Sequence, residues 1–176
     1  MRKSAVYNLV LAAMVAALYA LLGYFGDVMG LTFGPVQVRF AEALTVLPFL
    51  FPATAPGLAL GCLITNLQSP YGPIDVIFGT LATAIAAYLT MKMPKWYLAA
   101  LPPILVNAVI LPPIWAWAEV GAVNAGFWAA CGFNAVTFIV GEALACYVLG
   151  TLLLKALGQV KFLKPIMRPT AQTPAT

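Results

Sequence analysis

Apolar runs long enough to cross a membrane recur along most of this chain and restrict its fold more than any other feature. Only 8% of the residues are charged and 63% are hydrophobic, whereas a soluble domain carries about 25% charged residues. Runs of about 20 apolar residues are typical of membrane-spanning helices. We therefore predict an all-α integral membrane protein.

The length of 176 residues predicts one compact bundle without a second domain. We expect a single membrane domain over residues 1–164, with six transmembrane helices near residues 5–24, 40–51, 56–67, 74–91, 96–117 and 124–157. The second and third are short: about 12 residues rise ~18 Å, less than the ~30 Å hydrocarbon core. They are therefore two tilted spans or a re-entrant hairpin. Proline pairs at 102–103 and 112–113 predict kinks in the fifth helix, and residues 165–176 are expected to form a disordered tail.

Arg39 and Glu42 lie three residues apart at the head of an apolar run. A helix places residues at this spacing on one face, where opposite charges can pair. Because charges beside lipid are costly, the pair should face a protein interior or a wet cavity. We interpret the segment as lining the mouth of a small-molecule site. The alternative is an ion pair that fixes the helix and contacts no ligand.

Further polar side chains interrupt the apolar helices and are candidate ligand-binding residues: Asn66, Asp75, Asn107, Asn134 and Glu142. The last two share one helix face with Phe138 at spacings of four residues, and Glu142 is expected near the middle of the membrane. Asp75 can instead stabilise the first turn of its helix through the helix dipole. Each amide can instead form a helix–helix hydrogen bond.

The basic residues indicate an orientation. With both termini on one side, all of them except Arg39 fall on that side, which the positive-inside rule makes cytoplasmic. The net charge of +4 therefore does not indicate nucleic-acid binding. Polar groups gather at the opposite face, which predicts a cavity that opens outward from the cell membrane.

The sequence lacks the residues that most enzymes would need. It contains no histidine, no GxxxxGK[ST] motif and no cysteine–histidine metal set, so we predict no enzyme activity, no cofactor and no metal site. Cys62, Cys131 and Cys146 are expected to be small core residues. An energy-supplying partner would be required for uphill transport. A membrane enzyme acting on a lipid and a ligand-free assembly protein are the alternatives.

Alanines recur four residues apart on the first helix in two registers, one of Ala12, Ala16 and Ala20 and the other of Ala13 and Ala17. Small residues at this spacing allow close helix packing. The face is either a docking surface for another membrane subunit or part of the packing inside this bundle.

Three segments carry a family resemblance, namely residues 36–48 (VQVRFAEALTVLP), 56–66 (PGLALGCLITN) and 72–83 (GPIDVIFGTLAT). They resemble the QueT family, whose members look like substrate-binding S-components of energy-coupling factor (ECF) transporters. The resemblance implies a six-helix protein that binds a queuosine precursor, a deazaguanine base, from outside. It also implies docking on a transmembrane coupling subunit and two cytosolic ATPases. Another vitamin or a purine-like compound is the alternative ligand.

The donor groups of a deazaguanine fit the polar residues of the chain. Its guanine edge offers adjacent N–H donors that a carboxylate such as Glu142 or Glu42 can accept together. The asparagines could bind the ring carbonyl and nitrogens, an amine on the ligand would favour Asp75, and Phe78 or Trp115 could stack on the base.

Overall fold

The computed structural model describes residues 2–32 and 37–168, and in these residues it contains helices and no β-strand. The longer helical elements, in chain order, are α1 (Arg2–Val28), a 3-10 helix (Phe40–Phe49), α2 (Ala55–Asn66), α3 (Pro73–Lys92), α4 (Leu101–Val120), α5 (Ala125–Ala143), a π-helical stretch (Leu144–Gly150) and α6 (Thr151–Gln159). The last three elements form one continuous helix. The six expected helical segments are therefore present, and the all-α prediction is confirmed.

Four helical stretches in the described residues are long and apolar enough to cross a membrane: Ala5–Val28, Pro73–Lys92, Trp96–Val120 and Ala125–Gln159. The 3-10 helix and α2 are shorter. Ten residues of 3-10 helix rise only ~20 Å, and the 12 residues of α2 rise ~18 Å. The second and third segments are thus as short as the sequence predicts.

The second segment differs from an ordinary helix because it is 3-10 and lies at the centre of the bundle. Every residue from Ala41 to Phe49 is buried, and the element packs against α1, α3 and the π-helical stretch. Pro48 lies inside it and Pro52 follows it, so proline limits its continuation as a regular α-helix. Arg39 immediately precedes the element in an extended conformation, and Glu42 lies in its first turn.

Local signals explain several helix ends. Gly72 adopts a positive φ of 60° just before Pro73 begins α3, and proline is favoured in a first turn because its missing N–H would be unpaired there. Pro102 and Pro103 likewise lie in the first turn of α4, so this pair marks a helix start rather than the expected interior break. Asn124 caps α5 by accepting a 3.0 Å bond from the Phe127 N–H.

The chain beyond α6 packs back onto the bundle. Lys161–Ile166 forms a 3-10 helix, the Arg168 N–H donates to the Leu50 carbonyl at 2.8 Å, and the Arg168 guanidinium donates to the Met91 carbonyl. Residues 165–168, which the expected tail includes, therefore belong to this packed segment, and the disorder of the tail stays a prediction. Residues 169–176 lie outside the described part of the chain.

Candidate functional site

A buried ion pair forms where the sequence predicts it. Arg39 Nη2 lies 3.6 Å from Glu42 Oε1, and the two side chains are 3% and 0% exposed. The Tyr19 hydroxyl of α1 donates to the same carboxylate oxygen at 2.5 Å. Glu42 Oε2 has no hydrogen-bond partner within the described residues, so one oxygen of this buried carboxylate remains free.

Asn66 connects the ion pair to α3. Its Oδ1 accepts a hydrogen bond from Arg39 Nη2 at 3.3 Å, and its Nδ2 donates to the Asp75 carbonyl at 3.1 Å. The fit depends on Gly79, because a Cβ there would lie 2.5 Å from Asn66 Nδ2. Arg39 therefore binds an acidic residue of its own element and an amide of α2, which in turn contacts α3.

Asp75 is fully buried in the first turn of α3. Its Oδ1 accepts a 3.1 Å hydrogen bond from the indole N–H of Trp115 on α4, while Oδ2 has no partner in the part of the chain that the structure describes. Trp115 is 1% exposed and so lies in the interior of the bundle. Indole N–H groups need an acceptor when they are buried, and Asp75 supplies it.

Asn107 and Glu142 meet between α4 and α5. Asn107 Nδ2 donates to Glu142 Oε1 at 3.2 Å, which leaves Asn107 Oδ1 free among the described residues. The Cys146 thiol lies 3.5 Å from Glu142 Oε2 and 3.4 Å from the Glu42 carbonyl oxygen. Cys146 therefore connects the last helix back to the 3-10 helix. It lies in the π-helical stretch, an irregularity that often marks functional sites.

These contacts form a chain whose two ends, Trp115 and Asn107, both lie on α4, and we call the set the polar ring. Its members are Arg39, Glu42, Asn66, Asp75, Trp115, Asn107, Glu142 and Cys146, all buried. The ring brings together six of the seven residues predicted to bind ligand. It contains three carboxyl groups and one guanidinium, at Arg39.

Most of the buried polar atoms that lack a hydrogen-bond partner are hydrogen-bond acceptors. In the described residues, five buried side-chain atoms lack a hydrogen bond: Gln37 Oε1, Glu42 Oε2, Asp75 Oδ2, Asn107 Oδ1 and the Thr80 hydroxyl. Four of the five are carboxylate or amide oxygens. Three belong to the ring, and the backbone of Gln37 packs against Gly141, next to Glu142. Buried acceptors without donors are costly, so the ring is suited to a guest that donates hydrogen bonds.

Asn134, the seventh predicted residue, lies outside the ring. It is only partly buried, and its Nδ2 donates to Glu119 Oε1 at 3.2 Å. Eight residues separate it from Glu142, about 12 Å of helix, and the buried ring of Phe138 lies between them on the same face. A shared helix face therefore does not place both side chains in one site.

Glu119 forms a second polar group beside the ring, which we call the Glu119 cluster: Tyr71, Glu119 and Asn134. The Tyr71 hydroxyl donates to Glu119 Oε1 at 2.8 Å. Partial burial, together with this bond to a carboxylate, raises the pKa of Tyr71. The Tyr71 ring stacks on Trp115 with centroids 5.3 Å apart and planes inclined by 12°. The cluster thus adjoins the Asp75 end of the ring.

Sequence reasoning missed Tyr19, Gln37 and the thiol contacts of Cys146. A tyrosine in the middle of an apolar helix is a usable signal, because a buried hydroxyl needs a partner.

Cys62 and Cys146 are buried as expected, whereas Cys131 is partly exposed. Phe78, a candidate for base stacking, is 41% exposed and faces away from the core.

The two alanine registers of α1 have different surroundings. Ala16 is buried, and a Cβ at Gly57 of α2 would overlap the Ala12 carbonyl oxygen, so this register packs within the bundle. Ala13 and Ala17 are exposed and Ala20 is partly buried. An open groove of about 450 Å³ runs between α1 and α2 and is lined by Asn8, Leu9, Ala12, Ala13, Ala53, Pro56, Gly57 and Leu60.

A bundle of apolar helices around buried polar side chains is typical of a multi-pass membrane protein. The sequence profile of the family described as "QueT transporter" matches residues 9–159. The chain therefore belongs to the QueT transporter family, and its class is a transport protein rather than an enzyme.

A relative from Lactococcus lactis subsp. cremoris (strain MG1363), named "Queuosine precursor transporter QueT", is 35% identical over 85 residues. The alignment covers 48% of this chain and 50% of that protein, so it spans about half the length of each. No solved structure matches the chain significantly.

Proposed function

We propose that the chain is the substrate-binding subunit of an ECF transporter and that its polar ring binds a queuosine precursor of the deazaguanine class. The observation that carries the proposal is the set of free acceptor oxygens on Glu42, Asp75 and Asn107. A guest that donates several hydrogen bonds removes the penalty of leaving these buried oxygens unpaired.

The guanine edge has the required donors. Its ring N–H and exocyclic amine lie side by side and can be accepted together by a carboxylate. The carboxyl group of Glu142 contacts the neutral groups of Asn107 and Cys146 and is our candidate acceptor for this edge. The guanidinium of Arg39 and the amide of Asn66 are donors of the kind that the ring carbonyl of the base needs. Trp115 provides a buried aromatic surface beside these groups.

Three further observations support the transporter arrangement. The sequence has no P-loop for ATP hydrolysis, so import against a gradient requires energy from partners, which we take to be a transmembrane coupling subunit and two cytosolic ATPases. The side chain of Arg168 reaches the end of α3 at Met91, and Lys155 lies 5.2 Å from the Trp96 ring. Basic residues thus share one end of the bundle, which the positive-inside rule makes cytoplasmic.

In this orientation both termini lie in the cytoplasm and the Asp75 end of the ring faces outward across the cell membrane. The exposed alanines Ala13 and Ala17, beside the groove between α1 and α2, leave a smooth surface on which a coupling subunit could pack.

The test is binding to the detergent-purified protein by calorimetry, with a deazaguanine compared against riboflavin, thiamine, biotin and folate. We expect binding of the deazaguanine alone, and a loss of about tenfold to a hundredfold in affinity for Glu142→Gln, since hydrogen bonds to charged groups contribute about 1.5–3 kcal/mol. Asp27→Asn is the matched control because Asp27 lies at the end of α1, outside the ring. Binding of another vitamin, or unchanged affinity in Glu142→Gln, would contradict the proposal.

A further inference from the structure

Three of the membrane-length helical stretches meet at one end of the bundle. One stretch ends at Lys92, the next begins at Trp96 and the last ends at Gln159. Lys155, near the end of the last stretch, has its Nζ 5.2 Å from the centre of the Trp96 ring. Residues from all three ends and from the final 3-10 helix pack against one core cluster: Met93, Trp96, Leu157, Leu163 and Met167. These helix ends therefore lie at one level of the bundle.

Five exposed lysines surround this meeting point and form what we call the basic surface: Lys92, Lys95, Lys155, Lys161 and Lys164. Three of them lie beside aromatic rings, as Lys155 does beside Trp96. Lys92 Nζ is 5.3 Å from the centre of the Tyr88 ring. Lys95 Nζ is 5.7 Å from the centre of the Tyr97 ring. At these distances the rings attract the ammonium groups but leave them open to a further anionic partner.

No acidic side chain balances the charge of this surface. The five acidic residues of the sequence all lie in the described part of the chain and away from the lysines: Asp27, Glu42, Asp75, Glu119 and Glu142. Glu42 and Glu142 are fully buried. Asp75 and Glu119 lie at the opposite ends of α3 and α4. Asp27 lies near the end of α1, whose first turns line a groove together with Ile166 at the lysine end.

A highly exposed aromatic side chain lies within the basic surface. Phe162 is 85% exposed and lies between Lys161 and Lys164 in the final 3-10 helix. The neighbouring Leu163 packs on the core cluster, so the segment is held on the bundle while the Phe162 ring remains uncovered. Apolar side chains flanked by lysines are typical of segments that lie at a membrane surface, where the ring contacts acyl chains and the ammonium groups contact headgroups.

We propose that the basic surface binds the headgroups of anionic phospholipids and that Phe162 lies in the interfacial region of the same leaflet. The occupant follows from charge and position, because the lysines lie where apolar helices leave the hydrocarbon layer and lipid phosphates begin. The tyrosine and tryptophan rings beside them are of the kind enriched at that boundary. The proposal goes beyond the proposed function and does not depend on the ligand of the polar ring.

The test uses the full-length protein in phosphatidylcholine vesicles, with a rising fraction of the lipid replaced by brominated phosphatidylglycerol or by brominated phosphatidylcholine. Bromine quenches tryptophan fluorescence on contact, and the difference between wild type and Trp96→Phe isolates the Trp96 signal. We expect about a fivefold to tenfold preference for phosphatidylglycerol at Trp96, since each lysine near an anionic surface adds to the attraction. Equal quenching by the two lipids would overturn the proposal and favour an acidic protein as the partner of this surface.

Charge variants test the lysines directly. Combining Lys92→Gln with Lys155→Gln should reduce the preference to within about twofold. The matched control combines Lys92→Arg with Lys155→Arg and should keep the preference, because arginine keeps the charge. An unchanged preference in the glutamine variant, or its loss in the arginine variant, would contradict the proposal.

A salt series on the wild-type protein decides the same point if the glutamine variant does not fold. Raising the ionic strength from about 0.01 M to about 1 M shortens the screening length from ~30 Å to ~3 Å and should abolish the preference. A preference that survives high salt would mean that the headgroup charge is not recognised.

Phe162→Trp tests the position of the aromatic side chain. We expect the added fluorescence, relative to wild type, to be quenched by lipid that carries bromine near the headgroup end of its acyl chains. Added fluorescence that no brominated lipid quenches would place residue 162 away from the membrane and contradict this part of the proposal.

Discussion

The Tyr19 hydroxyl of α1 donates a 2.5 Å hydrogen bond to Glu42 Oε1, and both residues are fully buried. Tyr19→Phe removes only the hydroxyl. We expect the free energy of unfolding to fall by about 1–3 kcal/mol, because a charged acceptor loses a donor, and ligand affinity to fall because Glu42 is held less firmly. Thermal unfolding and calorimetry in detergent measure both effects. Tyr24→Phe, at an exposed position of α1, should match wild type, and equal behaviour of the two variants would contradict the bond.

Substitutions of Arg39 and Glu42 should have strongly non-additive effects on the free energy of unfolding. Arg39→Met leaves the Glu42 carboxylate buried without its cation, which costs about 3–5 kcal/mol for a broken buried pair. Adding Glu42→Gln removes the uncompensated charge, so the double variant should be more stable than Arg39→Met alone. Chemical unfolding of both single variants and the double variant gives the coupling energy. Purely additive effects would mean that the two side chains do not interact.

The close contact of α1 with α2 depends on Gly57. An added Cβ at this position would overlap the Ala12 carbonyl oxygen, so Gly57→Ala must push α1 away from α2. We expect a loss of about 1–3 kcal/mol in stability, as for other overpacked positions. Gly132→Ala is the control, since no atom lies within 4 Å of its added Cβ and alanine favours a helix over glycine by about 0.5–1 kcal/mol. A melting temperature for Gly57→Ala at or above that of Gly132→Ala would rule out this contact.

Gly79 should affect ligand binding through Asn66. A Cβ at Gly79 would lie 2.5 Å from Asn66 Nδ2, so Gly79→Ala must displace the amide from the Asp75 carbonyl and from Arg39. We expect affinity for the deazaguanine to fall by about tenfold, corresponding to ~1.4 kcal/mol. Calorimetry measures this, and Gly132→Ala again serves as the control. Wild-type affinity in Gly79→Ala would show that the position of Asn66 is unimportant for binding.

The positions of the helices could be predicted because their signals are local. Apolar runs, the Gly72-Pro73 step and the cap at Asn124 act over a few neighbouring residues, and they account for the observed starts of α3 and α5. The contact between Arg39 and Glu42 was predictable for the same reason, since a spacing of three residues is enough to bring them together. The 3-10 form of that segment was not predicted, because it depends on packing at the centre of the bundle.

The membership of the ring could be predicted only in part. A polar residue in an apolar helix must avoid lipid, and this rule correctly places Asn66, Asp75, Asn107 and Glu142 in the interior. The same rule also predicts an interior position for Asn134, but its side chain donates a hydrogen bond to Glu119 outside the ring. Whether the ring residues bind a ligand remains a prediction.

The amino-acid sequence by itself determined that the chain forms membrane helices, approximately where they lie, and which side chains cannot face lipid, since hydropathy and capping are properties of short segments. The tertiary structure decided which of these side chains meet. The bond from Asn107 to Glu142 and the bond from Tyr19 to Glu42 join residues 35 and 23 positions apart. Such contacts depend on how each helix is rotated against its neighbours, and that rotation results from packing over the whole bundle.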